Sequence, residues 1–111
     1  NHKEFKILGK NQDEAKEIFD DAISLESSGV FSLVLELVDE FLTKKITKKL
    51  SIPTIGISSG DFSDGQVQVY NDLIGYSPKK LPKHAKVYSN LLFEAQESIN
   101  KFVNDTRDLS K

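Results

Sequence analysis

Apolar residues recur at helical spacing in three stretches of the chain and crowd into short runs between them. Ala15, Ile18, Phe19, Ala22 and Ile23 make the first stripe. Asn11, three residues before Glu14, predicts a capping-box start for that helix, and Gly29 predicts a left-handed residue at its end. Residues 30–36 (VFSLVLE) are short, nearly all apolar and rich in β-formers, the pattern of a buried strand. Val38, Phe41, Leu42, Ile46 and Leu50 then return to helical spacing. Lys44, Lys45, Lys48 and Lys49 lie on the wet side of that helix and suit its C-terminus. Ser51–Ile57 reads as a second strand, with Pro53 tolerable near its start. Ser58–Gly65 is a loop by composition, and Gln66–Tyr70 alternates as a third strand. Pro78 and Pro82 bracket a lysine-rich connection. Tyr88, Leu92, Ala95, Ile99 and Phe102, widened by Leu91 and Val103, predict a long amphipathic helix from about His84 to about Arg107. Ahead of all this, Phe5–Leu8 closed by Gly9 reads as an extended lead-in.

Alternating helices and strands, with strands expected to be buried on both faces, argue for an α/β fold with a parallel sheet. In such sheets, and in (β/α)8 barrels, ligands bind beyond the carboxyl ends of the strands. Glu36 falls at such an end. A carboxylate inside the run VFSLVLELV is costly in an apolar interior. At a strand end it can reach a catalytic mouth while the residues before it pack the interior.

Composition narrows the partners. The 111 residues fit one domain, spanning 1–111, and carry 15 Lys+Arg against 17 Asp+Glu for a net charge of -2. That balance favours neither nucleic acid nor an anionic membrane. No cysteine is present, no signal-peptide pattern opens the chain, and no apolar run approaches the roughly 20 residues of a membrane span, so a cytoplasmic protein is expected, or an organellar one if the source is eukaryotic. Asp61 and Asp64 lack the other ligands of a calcium loop, and His2 and His84 belong to no metal-binding spacing; His84, near a helix start, is expected at the surface. Asp64 suits a loop brace. Ser58 and Ser59 suit either a tight polar turn or a site that hydrogen-bonds a carboxylate or phosphate. Tyr70 and Asp72, near the end of the third strand, suit either a barrel mouth or packing.

Several segments, in order, resemble the C-terminal part of the ketopantoate hydroxymethyltransferase family. Val34-Leu35-Glu36 matches its VLE segment, and Ser51–Gly60 matches its SIPTIGIGAG at all but two positions. Asp64-Gly65-Gln66 matches DGQ, Asp72–Gly75 matches D-x-x-G, Pro82-Lys83 with Tyr88–Leu91 resembles P-K…Y-x-N-L, and Phe5–Lys10 resembles FKVQGR. The resemblance implies about the last three βα units of a TIM barrel of the phosphoenolpyruvate mutase/isocitrate lyase superfamily, a partial barrel against the roughly 250 residues of a complete one. It implies transfer of a hydroxymethyl group from 5,10-methylenetetrahydrofolate to 3-methyl-2-oxobutanoate, giving ketopantoate. Magnesium would chelate the keto acid, its aspartate ligands lying upstream and none within this chain. Glu36 is the implied catalytic residue, as general base or proton shuttle, with Ser58, Ser59 and Asp64 as substrate-pocket candidates. The partners are then an α-keto acid, a folate, the N-terminal half of the barrel and further copies in a homo-oligomer, and these residues without that half should be inactive. Departures stand beside the likeness: LECVP becomes Leu35–Asp39, the Gly-Ala of GIGAG becomes Ser58-Ser59, and the glutamine of VQG becomes Leu8. They leave room for a diverged partial barrel serving assembly or ligand binding, or for an enzyme acting on another α-keto acid.

Overall fold

The computed structural model describes residues 6–77, 81 and 84–109. His2, the first residues of the lead-in and most of the Pro78–Pro82 connection lie outside the described residues. Two compact units emerge, one of residues up to Gln68 with Leu81–Ala85, the other of Val69–Lys80 and Lys86–Lys111.

In the first unit, helix α1 (Gln12–Ser27) is set by its caps. The Asn11 side chain accepts the Glu14 N–H at 2.7 Å, but only half of the capping box forms, because the Glu14 carboxylate accepts the Gly9 N–H instead. At the other end Gly29 takes φ +97°, and its N–H and that of Val30 turn back to the carbonyls of Glu26 and Leu25. This C-terminal turn consumes Val30, so strand β1 starts late, at Leu33, and runs to Glu36. Helix α2 (Glu40–Lys49) likewise starts two residues beyond the first residue of its stripe. Asp39 is its cap, accepting the N–H groups of Phe41 and Leu42. Val38 instead bridges Leu8 in parallel.

Strand β2 (Thr54–Ile57) begins directly after Pro53, whose carbonyl still accepts the Leu33 N–H at 3.0 Å. It pairs in parallel with β1 from Leu33↔Thr54 to Glu36↔Ile57. Strand β3 (Gly65–Gln66) adds two more parallel pairs on its far side, giving the order β1-β2-β3. It is much shorter than the expected Gln66–Tyr70. The ladder stops where the Val67 N–H meets the Gly56 carbonyl, and Tyr70 has already entered helix α3 (Tyr70–Leu73). Tyr70 and Asp72 therefore sit on a helical turn, not at a strand end.

The core forms where α1 and α2 cover one face of the sheet: Ala22, Leu35, Val38, Leu42, Ile46 and Leu50 are buried, with Ile18, Phe19 and Leu33 packed against them. Side chains alternate across a strand. Leu35 is thus buried while Val34, 57% exposed, and Glu36 face the other way, in register with Ile55 and Ile57. The expectation of doubly buried strands holds for one face only among the described residues. The crossover from β2 to β3 is a loop rather than a helix, and Phe62 ties it to α2 by stacking on Phe41 and lying under Lys44. Glu26 ties α1 to the start of β2 by accepting the N–H groups of Ser51 and Ile52.

In the second unit, helix α4 (Leu91–Leu109) starts about two turns later than the expected start near His84. The segment before it is held extended by hydrogen bonds to the end of α3: Tyr88 N–H to Leu73 O, Leu91 N–H to Ile74 O and Leu92 N–H to Gly75 O. These carbonyls satisfy amides that a helix N-terminus leaves open. Gly75 has φ +71°, and a Cβ there would fall 2.1 Å from the Ser89 carbonyl oxygen. No residue of α4 is buried. His84, expected at the surface, is half-buried.

Ile46 is the largest fully enclosed side chain. Ile46→Ala should destabilise the chain by roughly 2–5 kcal/mol in urea unfolding, because α2 cannot collapse into the space left against the sheet. A loss below about 1 kcal/mol would show that α2 does not carry the core.

Candidate active site

Because β1, β2 and β3 are parallel, their carboxyl ends lie along one edge of the sheet, and Leu8 joins that edge through its bridge to Val38. Glu36 is the last residue of β1, on the face that α1 and α2 leave open. Its side chain is exposed and makes no hydrogen bond or ion pair among the described residues. The aliphatic side chains sharing its face are Val34, Ile55 and Ile57. A carboxylate so placed is free to accept a proton from a ligand lying over the strand ends.

Directly beyond the last register pair, Glu36↔Ile57, both strands turn through a left-handed residue: Leu37 at φ +55° and Ser58 at φ +51°. Non-glycine residues seldom adopt this conformation, so surrounding bonds must impose it. Leu37 N–H donates to Ile57 O at 2.9 Å. The Ser59 hydroxyl, 1% exposed as a residue, accepts the Val38 N–H at 3.0 Å and faces the carbonyls of Leu35 (2.8 Å) and Ile57 (3.1 Å). The next residue, Gly60, runs so close to α2 that a Cβ would come within 2.4 Å of that of Glu40.

The structure separates the sequence candidates. Glu36, Ile57 and Ser58 share the carboxyl edge, and Ser58 is buried to 8% exposure. Ser59 lies behind them, its hydroxyl fully engaged by backbone and directed to the strand ends rather than to a ligand. Asp64 stands at the opposite, amino edge: its carboxylate accepts the Thr54 N–H (2.9 Å) and lies 3.3 Å from the Thr54 hydroxyl, while its own N–H donates to that hydroxyl. It braces the start of β2, as a loop-bracing reading requires. Asp39 and Leu37 escaped the sequence reading. For Asp39 a signal existed, an aspartate just ahead of an apolar stripe; for Leu37 none did, since leucine gives no hint of a positive φ. Among the described residues, no group of three or more His, Cys, Asp or Glu side chains could hold a metal ion, and no helix is long and apolar enough to cross a membrane.

A family model described as ketopantoate hydroxymethyltransferase matches residues 1–110. Proteins named 3-methyl-2-oxobutanoate hydroxymethyltransferase are similar to most of the chain. That of Pseudothermotoga lettingae is 50% identical over 104 residues, covering 94% of this chain and 39% of its own length. That of Thermosipho africanus is 45% identical with the same coverage. That of Listeria innocua is 39% identical over 106 residues, covering 96% of this chain and 38% of its own length. The chain thus spans about two fifths of the length of the curated relatives it matches.

Ser59 is the point at which this edge can be probed without touching the open face. Ser59→Ala removes the acceptor of the buried Val38 N–H and should lower stability by about 1–3 kcal/mol. Amide hydrogen exchange at Val38 should accelerate with it; an unchanged rate and midpoint would mean that other bonds hold the two strand ends together.

Proposed function

The chain belongs to the ketopantoate hydroxymethyltransferase family, and on that premise we propose that it forms the C-terminal part of a (β/α)8 barrel that converts 3-methyl-2-oxobutanoate to ketopantoate. Glu36 is the base. Its carboxylate takes the proton from C3 of the 2-oxo acid, leaving the electron pair in an enolate. That carbon then attacks the one-carbon unit of 5,10-methylenetetrahydrofolate, whose two C–N bonds break. Water supplies the new hydroxyl group, and its other proton and the proton taken from C3 end on the nitrogens of the released tetrahydrofolate. The observation that carries this reading is the position of Glu36: an exposed carboxylate, free of hydrogen bonds among the described residues, at the carboxyl end of a parallel strand. Val34, Ile55 and Ile57 on the same face offer an apolar wall for the branched end of the substrate.

Magnesium comes with the resemblance, yet the described residues provide no ligand cluster for it. The proposal therefore gives this chain the base and part of the pocket wall, and leaves any metal to polypeptide outside these residues. The three strands among the described residues do not close a barrel, since a (β/α)8 domain takes eight, so the 111 residues are inactive by themselves in this reading. A cytoplasmic location goes with the biosynthetic role. Self-association follows from the exposed apolar side chains of α4, among them Phe93, Ile99 and Phe102.

In the complete enzyme supplied with magnesium and methylenetetrahydrofolate, Glu36→Gln should lower kcat by roughly 10²–10⁴-fold. Its unfolding midpoint should stay within about 0.5 kcal/mol of the parent, because the side chain is exposed and unbonded. Retained turnover would remove Glu36 from the chemistry. Sizing chromatography of the 111-residue chain should show a dimer or larger species; a monomer at all concentrations would contradict the association.

A further inference from the structure

The Glu36 side chain is exposed and makes no hydrogen bond among the described residues, so nothing grips its carboxylate directly. Where that group stands is decided by the backbone that carries it. Ser59 holds this backbone on both sides. Its hydroxyl donates to Leu35 O, the carbonyl just before Glu36, at 2.8 Å, and accepts Val38 N–H, two residues after Glu36, at 3.0 Å. Glu36 and Leu37 are thus bracketed between two groups that one hydroxyl joins. Leu37 is the residue at φ +55°, a conformation that a loose strand end would relax. Ser59 is 1% exposed, so water does not compete for these bonds.

Resting on the reading of Glu36 as the base, we propose that Ser59 is the positioning residue for that base: a hydroxyl buried behind the strand ends fixes the Glu36 backbone, and so sets where the carboxylate meets C3 of the 2-oxo acid. Ser59 touches no substrate in this role. Proton transfer tolerates little error in placement, since a shift of about 1 Å costs on the order of a hundredfold in rate. Two departures from the family segments fit together here. Those segments carry proline where Asp39 stands and alanine where Ser59 stands. Proline fixes φ near about −65° through its ring and needs no bond to do so. Asp39, at φ −49°, has no such ring, and the Ser59 hydroxyl supplies the hold from across the sheet.

The test uses the complete enzyme supplied with magnesium and 3-methyl-2-oxobutanoate, without folate, in D2O. Glu36 removes the proton from C3, its carboxyl exchanges with solvent, and return of a deuteron to C3 labels the 2-oxo acid, which NMR follows. Ser59→Ala should slow this exchange roughly ten- to a hundredfold per folded enzyme, with calorimetric affinity for the 2-oxo acid unchanged. A second measurement repeats the substitution in Glu36→Gln. A hydroxyl that acts only through Glu36 has nothing left to position there, so Ser59→Ala should add no further loss. A merely structural role would lower the rate by the same factor in both backgrounds. Equal factors, or full exchange in Ser59→Ala, overturn the Ser59 proposal and leave the Glu36 reading intact. Unimpaired exchange in Glu36→Gln overturns the base assignment, and this inference with it.

Discussion

A buried hydroxyl, that of Ser59, links the ends of the two central strands. It lies between the Leu35 carbonyl, the Ile57 carbonyl and the Val38 N–H, each of which would otherwise be enclosed without its full complement of hydrogen bonds. Held at this point, both strands leave the sheet through left-handed residues, Leu37 and Ser58. The geometry of the edge follows. Val38 is free to bridge Leu8, Asp39 to cap α2, and Glu36 to remain the last residue before the turn, on the open face.

The departures from the family motif acquire a physical meaning here. Where LECVP has proline, Asp39 gives its N–H to the Leu8 carbonyl at 2.8 Å, a bond proline cannot make, and its carboxylate caps the helix. Where GIGAG has alanine, Ser59 supplies the hydroxyl that joins the strands. Where it has glycine, Ser58 accepts a backbone conformation that suits glycine better. Two of the three changes add bonds within the fold; the third adds a hydroxyl with no partner among the described residues.

The loop from Ser58 to Asp64 illustrates how one short segment serves both edges of the sheet. It begins beside Glu36 and ends at the opposite edge, where Asp64 binds the start of β2. Phe62 and Gly60 press it against α2 along the way. With no helix in this crossover, close contact of the loop with α2 fixes β3 beside β2.

Helix caps at Asn11 and Gly29, the apolar stripes of α1 and α2, the strand centres and the terminal position of Glu36 were all legible in the residues, because each depends on neighbours within about one turn or one pleat. The full length of β3, the start of α4, the role of Ser59 and the strand that Asp64 braces were not. β3 ends at Gln66, opposite Gly56, one residue before β2 itself ends, and α4 begins where the carbonyls of Leu73, Ile74 and Gly75 release the chain. Ser59 acts on residues 21 and 24 positions away, and Asp64 on one 10 positions away. Local chemistry prescribes which residues can form an element and which can cap it. Which face of the sheet stays open, and which hydroxyl finds a partner, is settled only when distant stretches of chain meet, since burial and hydrogen bonding belong to the assembled neighbourhood.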